Sequence, residues 1–136
     1  MPEVDKNLGI SSTEVQINSV DSKIKLHTFT AIIAERQVRF EVFKFKDSLF
    51  IWIGDKRNRN FSDLSFAIIS KYSSDPSGTK IMGLPTDVTS TSIAMKLGKR
   101  LKKPVYVSFN LVDDRLTVPV VNNRIREEIE THPECF

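Results

Sequence analysis

The residues of this chain that could do covalent chemistry are few, and they are not spaced for it. Its two histidines, His27 and His132, are far apart in the sequence, and its one cysteine, Cys135, stands next to the end. A catalytic cysteine needs a histidine base beside it, and His27 is explained more simply as a partly buried ring with a hydrogen-bond partner. We therefore predict no catalytic residue and no enzyme activity.

Metal and cofactor sites are not indicated either. The sequence contains no HExxH, CxxC or paired-histidine spacing, and these are the patterns typical of zinc sites. Residues 77–80 lack the residue order of a phosphate-binding loop and are interpreted as a plain turn. Asp113 and Asp114 fit a hairpin turn better than a cation site. We predict no metal and no cofactor.

Five basic residues near the end of a predicted central helix form the densest like-charge cluster of the chain. They are Lys96, Lys99, Arg100, Lys102 and Lys103. A basic helix end complements the helix dipole and is ordinarily solvated, but it could also attract an acidic partner. Both interpretations stay open, and we keep this basic cluster as a candidate docking surface.

The composition indicates one folded domain. The chain has 136 residues, of which 40% are hydrophobic and 27% charged, and these proportions are typical of a globular protein. A single cysteine excludes an intramolecular disulfide. The net charge of +3 is too small to favour a nucleic-acid partner.

The start of the chain differs from the rest. Residues 1–22 are polar and without sustained periodicity, so we predict a flexible tail followed by a single domain over residues 23–136. The tail has no apolar core of the signal-peptide kind, and no apolar run approaches the length of a membrane span. We expect a cytoplasmic or nuclear protein without a membrane partner.

Hydrophobic periodicity predicts an α+β domain of about six strands and two helices. Strands are expected at 25–33, 38–45, 48–53, 80–84, 105–111 and 116–121, and residues 64–72 could be a strand or a short helix. Thr89 or Ser90 would cap the first helix, whose apolar face includes Leu97. Asn122 or Asn123 would cap the second, which Pro133 follows.

The first three strands predict a sheet with two different faces. Two-residue turns at 35–36 and 46–47 would place Ile33 opposite Val38 and Val42 opposite Ile51, and side chains alternate along each strand. One face is apolar and should hold the helices; it comprises Phe29, Ala31, Ile33, Val38, Phe40, Val42, Leu49, Ile51 and Ile53. The other mixes aromatic and polar side chains, as interfaces do; it comprises Thr28, Thr30, Ile32, Arg39, Glu41, Phe43, Phe45, Phe50 and Trp52.

This second face is the candidate functional surface. The chain has too few remaining residues to form another layer over this face, so a partner should cover the aromatic side chains. We predict a dimer interface formed by Arg39, Glu41, Phe43, Phe45, Phe50 and Trp52.

Several segments resemble the proteasome assembly chaperone 4 family. They are DSLFIWIG at 47–54, DVTSTS at 87–92, VYVSFNL at 105–111, VNNRIREE at 121–128 and PECF at 133–136. Each segment alone is weak, but their order and spacing together are specific. The resemblance covers roughly residues 25–136.

The resemblance implies a non-enzymatic chaperone with an antiparallel sheet flanked by helices, in which the sheets of two protomers stack as a sandwich. It also implies pairing with proteasome assembly chaperone 3, which has a related fold. The heterodimer would bind proteasome α subunits while the α-ring of the 20S core particle is built. Pairing of the isolated chain with itself stays open. The resemblance assigns no contact to the tail or to the loop at 55–60.

A small β-rich nucleic-acid-binding module is the alternative. Such a module would show aromatic side chains interleaved with Lys or Arg on an exposed sheet. The aromatic face with Arg39 and Lys46 fits this pattern loosely. Glu41 in the middle of the face and the small net charge count against it.

Overall fold

The structure is a computed structural model that describes residues 17–19, 23–112 and 114–136. The predicted tail at 1–22 lies outside the described residues except for 17–19, and so does Asp113. The six strands are β1 (Lys25–Ile33), β2 (Arg36–Lys44), β3 (Leu49–Asp55), β4 (Leu64–Ile69), β5 (Pro76–Met82) and β6 (Val105–Phe109). The helices are α1 (Thr89–Leu101), α2 (Thr117–Thr131) and a 3₁₀ turn (Pro133–Cys135).

The six strands form one sheet in the order β1-β2-β3-β6-β4-β5. The predicted α+β class with six strands and two helices is confirmed. The expectation of a fully antiparallel sheet is wrong in one place, because β3 and β6 are parallel. Parallel neighbours need a long crossover connection, and here β4, β5 and α1 supply it before β6 enters between β3 and β4.

The two predicted hairpin registers have different outcomes. Val42 pairs with Ile51 as predicted. Between β1 and β2, however, the turn residues are Ala34 and Glu35, with φ of 50° and 65°. Positive φ at both positions is typical of a tight hairpin turn, and it shifts the pairing by two residues. A shift of two leaves each side chain on its predicted face.

Residues 116–121, predicted as a strand, instead begin α2, and neither Asn122 nor Asn123 caps it. The Asp114 carboxylate accepts hydrogen bonds from the backbone N–H groups of Leu116 and Thr117, at 3.0 and 2.6 Å. The Thr117 bond satisfies a donor of the first helical turn and the Leu116 bond fixes the residue before it, so the helix starts earlier than expected. Its buried residues then recur at helical spacing.

The start of α1 and the strands before it also differ from expectation. Thr89 and Ser90 lie inside α1, and the Asp87 carboxylate accepts a 3.1 Å hydrogen bond from the Thr89 N–H. Residues 64–69, which the sequence predicts as either a strand or a short helix, are a strand. Residues 77–80 belong to β5 and not to a turn.

Both helices pack on the apolar face of the sheet, as predicted. The core joins that face to Ile93, Leu97, Val121, Ile125 and Ile129 from the helices. On β4, the Ser65 hydroxyl lies 2.7 Å from the Ser90 hydroxyl and 2.8 Å from that of Thr91. Neither helix in the described part of the chain is long and apolar enough to cross a bilayer.

Candidate functional site

The sheet face opposite the helices carries a continuous aromatic row. Phe43 pairs with Phe50, Phe50 with Tyr106, and Tyr106 with Phe66. The row therefore crosses β2, β3, β6 and β4, because directly paired residues point to the same face. Ring centroids are 5.4 Å apart for Phe43 and Phe50 and 4.5 Å apart for Phe66 and Tyr106. All four side chains are half-buried.

Exposed apolar side chains flank the aromatic row. Leu26 pairs with Phe43 and extends the row onto β1, and its side chain is 56% exposed. Ile32 and Ile68 are exposed on the same face, and the Phe61 ring, also exposed, lies 5.9 Å from that of Phe50. Leu26, Ile68 and Phe61 adjoin the row, whereas Ile32 stands further along β1, beyond Thr28 and Thr30. An exposed apolar patch of this kind marks an interaction surface.

Trp52 does not belong to the uncovered part of this face. Its side chain is only 6% exposed, and its indole Nε1 donates a 3.0 Å hydrogen bond to the backbone oxygen of Asn60. The ring lies over Gly54, where an added Cβ atom would collide with it. The loop at 55–60 thus covers part of the second face, and the expectation that the chain leaves Trp52 uncovered is wrong.

Of the other predicted interface residues, Phe43 and Phe50 belong to the aromatic row, and three lie elsewhere on β2 or just after it. Arg39 and Glu41 are half-buried on β2, with Arg39 Nε 3.4 Å from Glu41 Oε1. Phe45 lies just after β2, where its N–H donates a 3.0 Å hydrogen bond to the Ser48 oxygen. Five of the six predicted residues are thus half-buried and only Trp52 is buried. Their role in a dimer stays a prediction.

Tyr106 and Phe66 are the members of the row that sequence reasoning missed. A signal exists, because Val105, Val107 and Phe109 alternate as buried positions along β6 and leave Tyr106 on the other face. Placing Tyr106 beside Phe50 also requires the parallel pairing, which turn lengths cannot reveal.

The basic cluster lies on the helix side of the sheet and is not uniform. Lys96, Lys99, Arg100 and Lys102 are exposed, and two of them have acidic neighbours, Lys99 at 3.9 Å from Asp75 and Arg100 at 3.9 Å from Glu130. Lys103 is half-buried and donates a 2.9 Å hydrogen bond to the backbone oxygen of Phe136.

The surroundings of Lys103 set it apart chemically. Burial lowers the pKa of its ammonium group, and the charge of Lys44 lowers it further. Lys103 therefore acts in local packing, and the solvated part of the basic cluster consists of the other four residues.

The structure brings the two histidines together at one carboxylate. His27 Nε2 lies 2.6 Å and His132 Nδ1 3.1 Å from Glu128 Oε2, while Arg124 Nη1 donates a 2.7 Å hydrogen bond to Oε1. Burial alone would raise the pKa of the Glu128 carboxyl, but hydrogen bonds from His27 and Arg124 outweigh it and lower the pKa. The interpretation of His27 as a hydrogen-bonded, partly buried histidine is confirmed.

Comparison with known proteins agrees with the resemblance seen in the sequence. A sequence model of the family described as Proteasome assembly chaperone 4 matches residues 37–111. The mouse (Mus musculus) protein named Proteasome assembly chaperone 4 is 39% identical over 120 residues, which cover 87% of this chain and 95% of the relative. The human (Homo sapiens) protein of the same name is 40% identical over 114 residues, covering 83% and 91%.

A solved structure also shares the fold. The structure titled "Crystal Structure of a Novel Chaperone Complex for Yeast 20S Proteasome Assembly" superposes with a TM-score of 0.61 and 16% identity. The match covers 81% of this chain and 98% of the yeast chain. On the sequence matches, this chain belongs to the proteasome assembly chaperone 4 family, which is a family of chaperones and not of enzymes.

Proposed function

We propose that this protein is a non-enzymatic assembly chaperone that pairs with proteasome assembly chaperone 3 and binds α subunits to promote α-ring formation of the 20S core particle. The observation that carries the proposal is the aromatic row on the helix-free face of the sheet. The family's name supports a role in proteasome assembly, and the yeast structure's title describes a complex of chaperones.

A stable pair needs more apolar side chains than the four rings of the aromatic row. Burying a large apolar side chain contributes about 1.5–3 kcal/mol, and association itself costs several kcal/mol. The rings of the row are already half-buried, so each contributes only part of that range. The row together with the flanking residues is then needed to reach roughly 8 kcal/mol, which corresponds to micromolar affinity.

Pairing through this face leaves the helix side free for an α subunit. The exposed residues of the basic cluster lie on that side, so they stay accessible in the proposed dimer. Long-range attraction to an acidic surface would speed the encounter and weaken with added salt. We assign these residues to α-subunit docking.

The direct test is co-expression with proteasome assembly chaperone 3, followed by size-exclusion chromatography and capture of individually expressed α subunits. We expect a one-to-one heterodimer that retains at least one α subunit, and sedimentation of the isolated chain will measure its self-association. Separate elution of the two chaperones would contradict the pairing. A heterodimer that retains no α subunit would contradict the docking.

A further inference from the structure

Three metal-ligating side chains converge where the end of α2 meets β1. His27, Glu128 and His132 each offer one ligand atom, and these atoms all lie within 4.8 Å of one another. Glu128 lies in the last turn of α2, and His132 directly follows the helix, where its backbone N–H donates a 2.8 Å hydrogen bond to the Glu128 backbone oxygen. His27 comes from β1, which the sequence separates from Glu128 by 101 residues.

The donor set is suited to zinc. We propose that His27, Glu128 and His132 form a binding site for Zn²⁺, with the fourth coordination position open to water. Two imidazoles and one carboxylate are a known zinc donor set. This inference is independent of the proposed chaperone activity, because it rests on side chains of the helix-covered side.

The geometry needs only a small adjustment. Ligand atoms in a tetrahedral zinc site, with bonds near 2.0–2.1 Å, lie about 3.3 Å apart. The 3.1 Å between His132 Nδ1 and Glu128 Oε2 is already close to that value. The 2.6 Å from His27 Nε2 to the same oxygen must lengthen. The His132 side chain is 49% exposed, so its ring can turn and the ion has a path from solvent.

Arg124 orients the Glu128 carboxylate for zinc binding. Its guanidinium holds Glu128 Oε1 at 2.7 Å and lies over the Phe29 ring, 4.8 Å from the centroid. Oε2 is thereby directed to the two imidazoles, as groups around a metal site orient its ligands. The positive charge of Arg124 also opposes a cation, so we expect micromolar and not nanomolar affinity.

A bound ion would link His132, which follows α2, to His27 on the edge strand β1. His132 directly precedes the 3₁₀ turn, and the buried Phe136 ring lies 6.4 Å from the His27 ring and 6.5 Å from Phe29. On the opposite face of β1, next to His27, stands Leu26 at the edge of the aromatic row. Zinc binding should therefore stabilise this edge of the sheet.

The test uses ZnCl₂ and the untagged, chelator-treated chain in calorimetric titration. We expect one Zn²⁺ per chain and, at about 100 times the Kd, a melting temperature raised by at least about 5 °C. His132→Asn, which changes a half-exposed residue, should weaken binding at least tenfold. Glu130→Gln on the same helix should bind zinc like the wild type.

Spectroscopy with Co²⁺ and a second histidine variant test the same site independently. Co²⁺ in place of Zn²⁺ should give the visible absorption of a low-symmetry site. His27→Asn should abolish this absorption. If His27→Asn does not fold, the same measurement is made on His132→Asn. Absence of stoichiometric binding, or equal affinity in His132→Asn, would overturn the proposal and leave a hydrogen-bonded cluster only.

Discussion

The indole Nε1 of Trp52 lies 3.0 Å from the backbone oxygen of Asn60 and donates a hydrogen bond to it. This bond fixes the loop at 55–60 over one end of the helix-free face. The surface left for a partner is therefore centred on Phe50 in the aromatic row, and not on Trp52. A partner would meet the loop backbone beside the row, so the loop forms part of the boundary of the interface.

The first prediction concerns Phe50 as the centre of the proposed dimer. Phe50→Glu should abolish pairing with proteasome assembly chaperone 3, because a carboxylate buried without a partner costs far more than the lost apolar contact. The monomer should stay folded, since Phe50 is only half-buried on the face away from the core. Analytical size exclusion with circular dichroism measures both.

Tyr72→Glu is the matched control for Phe50→Glu. Tyr72 is 96% exposed and follows β4 outside the sheet, so this charge should leave pairing unchanged. A Phe50→Glu protein that still co-elutes with its partner at wild-type affinity would place the interface elsewhere.

The second prediction tests how Trp52 packs on Gly54. Gly54→Ala should lower the free energy of unfolding by about 1–3 kcal/mol, because the added methyl group collides with a rigid, buried ring. At Gly98 in α1, the nearest atom to an added Cβ is the Lys103 oxygen at 3.6 Å, an ordinary contact. Gly98→Ala should instead raise stability by up to about 1 kcal/mol through helix propensity.

Denaturant unfolding of both glycine variants measures the difference. Tryptophan fluorescence of Gly54→Ala should shift to longer wavelength as the loop loosens and water reaches the ring. Equal stabilities of the two variants would mean that Trp52 does not lie on Gly54.

The sequence predicts the two faces of the sheet well because strand alternation needs only local information. Phe40, Val42 and Ile51 are all fully buried, on the face expected for them. The β1–β2 turn lies one residue earlier than predicted, so the strand pairing shifts by two residues. Side chains alternate with a period of two, so each one stays on its predicted face.

Non-local pairing explains most of what the sequence could not predict. Tyr106 reaches Phe50 only through a parallel crossover, and His27 reaches Glu128 only through the packing of α2 on β1. The start of α2 was missed for a local reason. Residues 116–121 are mostly apolar and partly β-branched, which favours a strand. The Asp114 carboxylate favours a helix instead, because it accepts hydrogen bonds from backbone N–H groups at the start of α2.

The third prediction follows from the pKa of Asp114. The backbone N–H of Thr117 is the largest cause that lowers the pKa of this carboxyl. A lowered folded-state pKa means that the stabilisation is present above the unfolded pKa of about 3.9 and is lost as pH falls through the folded value. Asp114→Ala should therefore melt below wild type at pH 7, with a gap that closes towards pH 2.

Thermal melts at several pH values measure this gap. Asp47→Ala changes an exposed aspartate in the turn between β2 and β3, and it should show a smaller gap at pH 7. A gap for Asp114→Ala that is constant with pH would mean that the carboxylate charge does not stabilise the start of α2.

The last prediction concerns the basic cluster and α-subunit docking. Lys103 is excluded from the test because it holds the backbone of Phe136. Changing Lys96, Lys99 and Arg100 together to Glu should slow association with the α subunit, since attraction becomes repulsion and steered encounters lose about tenfold or more in rate at low salt. Pairing with proteasome assembly chaperone 3 should be unaffected, because these residues lie on the opposite side of the sheet.

A second triple variant separates local from overall charge. Lys23, Lys25 and Lys71 are exposed and lie outside the cluster, and their change to Glu alters the net charge by the same amount. Stopped-flow association should show, only for the cluster variant, a rate that is slow at low salt and rises with added salt, because salt screens the new repulsion. Equal rates for both triple variants would show that net charge alone steers the encounter and that the helix end is an ordinary solvated surface.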